Sequence, residues 1–351
     1  NFATRHSPVL IIFLSFLEKI NFDDELIRLI HLHICLILPI GFYLILLEKF
    51  KNIEKINLLL IVGLIFLSPT FRSLSIWPDS RLLGLSIFTF SILFFLYFLR
   101  SKQFKYCLLN IFFCAFSSYI SPNFSLFSIY FFYIFVKEYN FDKKKIFYII
   151  LINIILSLPA LYYLFILDVN FLTKTAIVSE NKSFEFYSNI ANQILIIPTI
   201  ILFYLIPFLF TRVFNLEFKK ILIRLIISLI IMSFCIIYFD YKFEYTGGGI
   251  FFKASYFIFE NNYLFYLIIF VSLFFLLIIC SNKFKNYLIF ILLLLSNPQI
   301  SIYHKYYDPL LIIIFFSLLA INLDGSQFKK IKNNIFIYLY FFIFLIIGFM
   351  K

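Results

Sequence analysis

The sequence predicts an all-α protein that crosses a membrane many times. Of its 351 residues, 63% are hydrophobic and 14% are charged, and the mean hydropathy is +1.00. Soluble domains carry about 25% charged residues, so this composition excludes an ordinary soluble domain. Apolar runs of about 20 residues recur along the chain, which is the length that a helix needs to cross about 30 Å of hydrocarbon. Strict alternation of apolar and polar residues, the pattern of a membrane barrel, is not seen.

The chain begins at Asn1 rather than at a methionine, and no basic-then-apolar signal segment opens it. We therefore expect an amino-terminal truncation that removes one incoming helix, with a signal peptide cleaved before Asn1 as the alternative. The first apolar stretch, residues 7–20, is short and is followed by Asp23, Asp24 and Glu25. We expect it to lie along the membrane interface rather than to span the bilayer.

Twelve membrane-spanning helices are expected after this segment. We divide the chain into an extracytoplasmic interfacial segment, 1–26, and a helical bundle, 27–351, within a single transmembrane domain. A break is expected at Ser121-Pro122-Asn123, because proline ends a helix at the residue before it. The expected spans are 28–47, 57–75, 82–99, 105–120, 122–136, 146–167, 193–211, 221–239, 263–280, 287–299, 308–323 and 335–350.

The basic residues indicate how these spans are oriented. Most of the 30 Lys and Arg residues lie in loops on one side of the predicted bundle. Because cytoplasmic loops of membrane proteins carry an excess of Lys and Arg, this side is expected to be cytoplasmic. The predicted localisation is the bacterial cytoplasmic (inner) membrane. Those loops lie around residues 49–55, 100–105, 137–145, 212–224, 283–285 and 329–332.

The outward connections hold the more varied polar residues. The Ser68–Arg81 stretch contains Arg72, Trp77, Asp79 and Arg81 between two apolar runs. Ionisable groups at a membrane surface cost desolvation free energy, so such a cluster is a functional-site hypothesis. Three further outward segments are polar, namely 168–192, 240–262 with its Gly247-Gly248-Gly249 run, and 297–309. The active face is therefore expected to be extracytoplasmic.

Three other classes of site are weakly indicated. The five cysteines share no metal-ligand spacing, and free cysteines in apolar helices are usually small buried hydrophobes. The formal net charge of +12 is distributed over many short loops, so it reflects membrane topology rather than a nucleic-acid interface. The triple glycine lacks a preceding strand and a GK[ST] sequence, which favours a flexible loop over a phosphate cradle.

Five short motifs follow one another along the chain, namely His6-Ser7-Pro8, Glu25 with Arg28, Ser68-Pro69, Asp79-Ser80-Arg81 and His304-Lys305-Tyr306-Tyr307. Their order resembles the GT-C fold of multispan glycosyltransferases, most nearly the protein mannosyltransferase and aminoarabinose transferase group. The resemblance covers most of the chain by topology. It departs from that family in two places, since the first outward loop that holds the catalytic Asp would lie upstream of Asn1, and lysine replaces the late arginine.

The resemblance implies an inverting hexosyl- or pentosyltransferase that moves a sugar from a polyprenyl-phosphate donor to a glycan, lipid or protein acceptor outside the cytoplasm. The donor leaves its charge on a lipid phosphate, so fixed cations are needed where that charge develops. Asp79 is expected to be catalytic, as an orienting carboxylate or as a partial ligand of a divalent metal, the one cofactor considered. The expected substrate-binding residues are Arg5, His6, Arg81, His304, Lys305 and Tyr307.

Other interpretations of the same residues stay open. Asp79 is also suited to cap a helix after Pro78, and Arg72 and Arg81 are suited to anchor helix ends in the headgroup region. A lipid-linked polysaccharide polymerase or ligase would share the substrates but should have a larger outer loop. A transporter or flippase should show broken helices with polar residues at the bilayer midplane.

Overall fold

The structure is a computed structural model that describes residues 8–166, 186–209, 218–245, 247–280, 283–297, 299, 301–320 and 331–349. Within these ranges every regular element is helical and no strand is present, which confirms the all-α prediction. The α-helices are α1 Pro8–Lys19, α2 Asp24–Cys35, α3 Ile37–Lys49, α4 Lys55–Gly63, α5 Pro69–Ile76, α6 Ser80–Ser101, α7 Phe104–Ile120, α8 Phe127–Glu138, α9 Lys143–Phe165, α10 Phe186–Leu209, α11 Phe218–Ile237, α12 Gly249–Phe259, α13 Tyr263–Cys280, α14 Phe284–Leu295, α15 Leu310–Ser317 and α16 Ile331–Phe349.

The helices show a multi-pass membrane protein. Among the described residues, six helical segments are long and apolar enough to cross a bilayer, namely Asp24–Lys49, Ser80–Ser101, Lys143–Phe165, Tyr187–Leu209, Phe218–Ile237 and Tyr263–Cys280. A bent pair, Lys55–Leu67 with Pro69–Ile76, makes a seventh if it is counted as one span. Several other apolar helices are shorter than 18 residues. The expected number of twelve spans is therefore not confirmed and stays a prediction.

The expected span over residues 57–75 is not one continuous helix, and whether it crosses the membrane as a bent pair stays a prediction. The chain bends by 66° between Leu67 and Pro69, where a 3₁₀ turn ends and α5 begins. Proline has no N–H to continue the preceding helix, and the Ser68 side chain instead accepts a hydrogen bond from the Phe71 N–H at 2.9 Å. The stretch from Ser68 to Arg81 is thus a short helix and a turn rather than a simple connection. By contrast, the break at Pro122 is confirmed, because a 3₁₀ turn starts there.

The chain divides into two compact units. Unit 1 comprises Asn1–Lys174, Ile313–Leu318 and Phe341–Lys351, and unit 2 comprises Thr175–Ile312 and Leu319–Tyr340. Each unit is described below by itself. The single transmembrane domain expected from the sequence stays a prediction.

Unit 1 is built around α6 and α7, which run antiparallel because only Lys102 and Gln103 separate them. Ser91 and Asn110 join the two helices in the buried interior. The Asn110 amide donates to the Ser91 carbonyl at 2.9 Å, and the Ser91 hydroxyl donates to the Asn110 carbonyl at 3.1 Å. In hydrocarbon, polar groups must find such partners within the protein. Aromatic pairs then join α6 to α8, namely Phe88 with Phe127, Phe95 with Phe131 and Phe98 with Phe135.

Unit 2 packs α11, α12 and α13 around α10. The triple glycine leads into α12, whose first residue is Gly249, and all three glycines have φ between 78° and 101°. The Gly248 N–H donates to the Ile302 carbonyl at 2.8 Å, and a Cβ on Gly247 would lie 2.4 Å from that same oxygen. The glycines therefore permit a close backbone contact between the segment before α12 and the segment after α14.

Candidate functional site

The Trp77-Pro78-Asp79 turn of unit 1 links α5 to α6 and carries two of the predicted residues. The Asp79 Oδ1 accepts a hydrogen bond from the Arg81 N–H at 2.7 Å, so Asp79 caps the amino terminus of α6. The capping alternative for Asp79 is therefore confirmed. Among the described residues this is the one hydrogen bond recorded for its carboxylate, which leaves Oδ2 available to a further donor.

Helix α2 brings a second cation to this turn. The Arg28 guanidinium lies over the Trp77 ring, 4.1 Å from its centroid. Trp77 is 59% exposed, so the stacked pair lies at the surface of unit 1. A guanidinium over an indole contributes about 0.5–1 kcal/mol at an exposed site. This contact holds the first turns of α2 against the end of α5.

His31 lies one turn further along α2 and Cys35 two turns further, and both side chains are buried. The His31 Nε2 lies 3.0 Å from the Leu74 carbonyl of α5 and 3.4 Å from the Cys35 sulfur. The Asp79 carboxylate is close enough to act electrostatically on both side chains. His31 thereby links α2 to α5.

Charges of both signs meet at this end of unit 1. Arg28 and Arg81 bring two positive charges to the start of α6, where the helix dipole adds a partial positive charge. Asp79 is the carboxylate that caps the same helix, and Asp23, Asp24 and Glu25 begin α2. We call the set Arg28, His31, Trp77, Asp79 and Arg81 the α2–α6 cluster. Its two arginines are the groups suited to a phosphate-like anion.

The predicted residues His304, Lys305 and Tyr307 lie in unit 2, in the segment between α14 and α15. The His304 Nδ1 lies 3.2 Å from the hydroxyl of Tyr204 on α10, and that hydroxyl also interacts with the buried Asp308 carboxyl. Lys305 is exposed and lies over the Tyr303 ring at 4.8 Å. His304 thus belongs to a buried polar network, whereas Lys305 faces outward.

Tyr307 has a different environment from its neighbours. Its side chain is fully buried, and its hydroxyl lies 3.4 Å from the Leu293 carbonyl. Burial raises the pKa of Tyr307, so its hydroxyl stays neutral. Burial likewise raises the pKa of Tyr241 to about 12, and the Tyr241 hydroxyl accepts from the Ile302 N–H at 3.2 Å. Both tyrosines hold the connections of unit 2 together, and substrate binding by Tyr307 stays a prediction.

The remaining predicted residues, Arg5 and His6, lie outside the described residues. The structure therefore places Asp79 and Arg81 together in unit 1 and places His304, Lys305 and Tyr307 together in unit 2. Sequence reasoning did not pair His304 with Tyr204, or Tyr204 with Asp308. Asp308 directly precedes Pro309 and an apolar helix, and a carboxylate in that position is a sequence signal for a functional residue. Tyr204 is one of 24 tyrosines, and nothing in the sequence distinguishes it from the others.

A divalent metal does not fit the described residues. No group of three or more His, Cys, Asp and Glu side chains among them could hold a metal ion. Asp79 already uses one oxygen to cap α6, and its charge acts on His31 and Cys35. Hard cations such as Mg²⁺ require several oxygen ligands. We therefore derive no step through a metal.

A separate cavity of about 270 Å³ in unit 1 lies between α7, α8 and α9. Some of its polar side chains bond within their own helices, as when Asn153 donates to the Ile149 carbonyl at 2.8 Å and Ser157 to the Ile154 carbonyl at 2.8 Å. Others bond to a neighbouring helix, as Asn110 does to the Ser91 carbonyl and Tyr119 to the Leu156 carbonyl. No charged side chain lines it among the described residues. Such a cavity has an apolar character and lacks the groups for chemistry on a phosphate.

No protein-family model matches the chain, and neither a curated protein nor a solved structure matches it. The resemblance to GT-C glycosyltransferases thus stays a prediction from the sequence.

Proposed function

We propose that the chain is a membrane-embedded glycosyltransferase that moves a sugar from a polyprenyl-phosphate donor to a glycan, lipid or protein acceptor. The observation that carries the proposal is the α2–α6 cluster, which combines two arginines, a helix amino terminus and one carboxylate with an available oxygen at one end of a helical membrane unit. In the proposed topology, about twelve spans and a GT-C-like fold place this end on the extracytoplasmic face of the bacterial inner membrane.

Each residue of the cluster has a role in the proposed reaction. The acceptor hydroxyl donates to the Asp79 Oδ2, which takes its proton as the new bond to the anomeric carbon forms. The bond between that carbon and the phosphate oxygen breaks, and the anomeric configuration inverts. The negative charge that remains on the lipid phosphate is stabilised by Arg81 and Arg28.

The test is transfer of radiolabelled sugar in membranes that carry the protein. A panel of polyprenyl-phosphate donors with glucose, mannose, galactose or aminoarabinose is compared for wild type, Asp79→Asn and Arg81→Ala. Asparagine is also a good cap, so Asp79→Asn removes the charge and keeps the turn. We expect each variant to lower transfer by at least about 100-fold, the scale of a lost acid–base group.

The chain offers matched controls for both changes. Asp142 caps α9 through the Lys144 N–H at 3.0 Å, so Asp142→Asn makes the same chemical change at a cap outside the cluster. Arg100 is an exposed arginine at the far end of α6, so Arg100→Ala matches Arg81→Ala. Both controls should keep wild-type transfer. Transfer that survives Asp79→Asn and Arg81→Ala but fails in His304→Gln would move the site to unit 2.

One observation favours a second function. The span formed by α4 and α5 is broken by 66° at Ser68, and discontinuous helices are typical of transporters that bind substrate at the break. A transporter of polyprenyl-linked or other anionic lipids would therefore be the alternative. Absence of transfer with every donor, together with protein-dependent movement of a fluorescent lipid across vesicle membranes, would establish that alternative and contradict the enzyme.

A further inference from the structure

A cavity of about 580 Å³ lies in unit 1, and none of the five residues of the α2–α6 cluster lines it. It lies where α2, the break before α5 and the end of α16 meet. The packing there is close, because a Cβ on Gly348 of α16 would lie 2.9 Å from the Pro69 side chain. The lining residues used below are Leu32, Leu36, Phe66, Arg72, Ile76 and Leu345. Its volume is within the range of ordinary ligand sites.

Arg72 is held in place at the edge of this cavity. Its Nε donates to the Phe66 carbonyl at 3.0 Å, a carbonyl in the 3₁₀ turn just before the bend. Among the described residues, Arg72 forms no ion pair with a carboxylate. One side of the guanidinium is therefore fixed by the backbone, and its two Nη groups remain for a bidentate contact with an anion.

The rest of the lining is mostly apolar. Its other polar side chains are Thr70, Ser73 and Ser75, and the last two donate to carbonyls of α5 itself. Leu32 and Leu36 of α2, Ile76 of α5 and Leu345 of α16 form a hydrocarbon surface beside the single cation. A small free anion would gain nothing from these side chains. An amphiphile with an anionic head and an apolar chain complements both parts of the cavity.

The membrane setting indicates which amphiphile this is. A helix that is bent by 66° from a span, as α5 is, can run along the membrane surface. Helix α5 ends at Trp77, which is 59% exposed, and exposed tryptophans at helix ends are typical of the headgroup region. The phosphates of bilayer lipids lie at this depth.

We propose that this cavity binds one anionic phospholipid from the surrounding bilayer. The Arg72 Nη groups bind the lipid phosphate, and one acyl chain lies against Leu32, Leu36 and Leu345. The site is separate from the proposed transfer reaction and needs no sugar donor. It would fix the bend at Ser68 by occupying the space between α2, α5 and α16.

The experiment measures lipid retention by the purified full-length chain in detergent, by native mass spectrometry. The probes are phosphatidylglycerol, phosphatidylcholine of the same chains, and diacylglycerol, which has no phosphate. We expect phosphatidylglycerol to bind most tightly. Arg72→Gln should weaken it about tenfold, the loss for one charge-assisted contact. Leu36→Trp, which adds bulk at the cavity edge, should weaken all three lipids.

A matched variant removes one positive charge elsewhere. Lys143 is exposed at the start of α9, so Lys143→Gln should leave phosphatidylglycerol binding unchanged. Gel filtration and thermal unfolding check that each variant is folded. Equal retention by wild type and a folded Arg72→Gln overturns the proposal, as does equal retention of diacylglycerol and phosphatidylglycerol. Displacement of the phospholipid by a tenfold lower concentration of a polyprenyl phosphate would also overturn it, because the site would then belong to the donor.

Discussion

Asp79 joins two properties in one side chain, since its Oδ1 caps α6 and its charge lies beside His31 and Cys35. Substitutions of Asp79 can test the cap and the charge separately, because an asparagine oxygen caps a helix as well as an aspartate oxygen does. A loss of activity in Asp79→Asn would then report on charge, and a loss of stability in Asp79→Ala would report on the cap.

At this residue we predict that Asp79→Ala lowers the free energy of unfolding by about 1 kcal/mol, because the α6 N–H groups lose their acceptor. Asp79→Asn should stay within a few tenths of a kcal/mol of wild type. Unfolding of the purified protein in mild detergent, followed by circular dichroism, measures both. If Asn destabilises as much as Ala, the charge rather than the cap holds the turn.

Individual residues show where sequence reasoning succeeds and where it fails. Asp79 and Arg81 could be placed near one turn because a Trp-Pro-Asp sequence between apolar runs is a local signal. The contact of Arg28 with Trp77 joins residues 49 positions apart, and the contact of His304 with Tyr204 joins residues 100 positions apart. Such contacts depend on packing between helices, for which a single sequence gives no local pattern.

At the scale of helices, the break before α5 shows how hydropathy alone misleads. The apolar run continues through residues 57–75, so its length predicts one span. Ser68 and Pro69 carry the contrary signal of a cap followed by proline at the first helical position. The physical reason for the break is thus local and was present in the sequence. The order of the helices, by contrast, followed well from the apolar runs.

Helix packing also depends on small residues that the sequence does not mark. A Cβ on Gly41 of α3 would lie 2.5 Å from the Thr89 Oγ1 and 3.3 Å from its Cβ. Thr89 is fully buried on α6, and its branched side chain cannot turn away freely. The contact between α3 and α6 therefore requires glycine at residue 41.

We predict that Gly41→Ala destabilises the protein by about 1–3 kcal/mol, the usual cost of overpacking. Thr89→Ala alone should cost less, and the double variant should recover part of the loss because the clashing atoms are gone. A double-mutant cycle on unfolding free energies measures this coupling. Additive effects of the two changes would show that α3 and α6 separate rather than clash.

For the whole molecule, composition established the class of protein and charge indicated its orientation. Glu48 pairs with Arg100 at 2.9 Å, and Lys102 pairs with Glu138, so these ion pairs lie at the end of unit 1 opposite the α2–α6 cluster.

The division into two units was not expected. Residues 313–318 and 341–351 belong to the amino-terminal unit. No local sequence pattern predicts contacts between residues so far apart along the chain.

The last prediction tests which end of unit 1 faces outward. Asp24 and Lys143 are exposed and occupy the first positions of α2 and α9, which lie at opposite ends of the unit. The five native cysteines are buried, so the background reaction with thiol reagents should be low. In intact bacterial cells, a membrane-impermeant maleimide should label Asp24→Cys, whereas Lys143→Cys should react only after the membrane is opened. The reverse pattern would place the α2–α6 cluster in the cytoplasm and the basic loops outside it. That orientation would break the positive-inside rule.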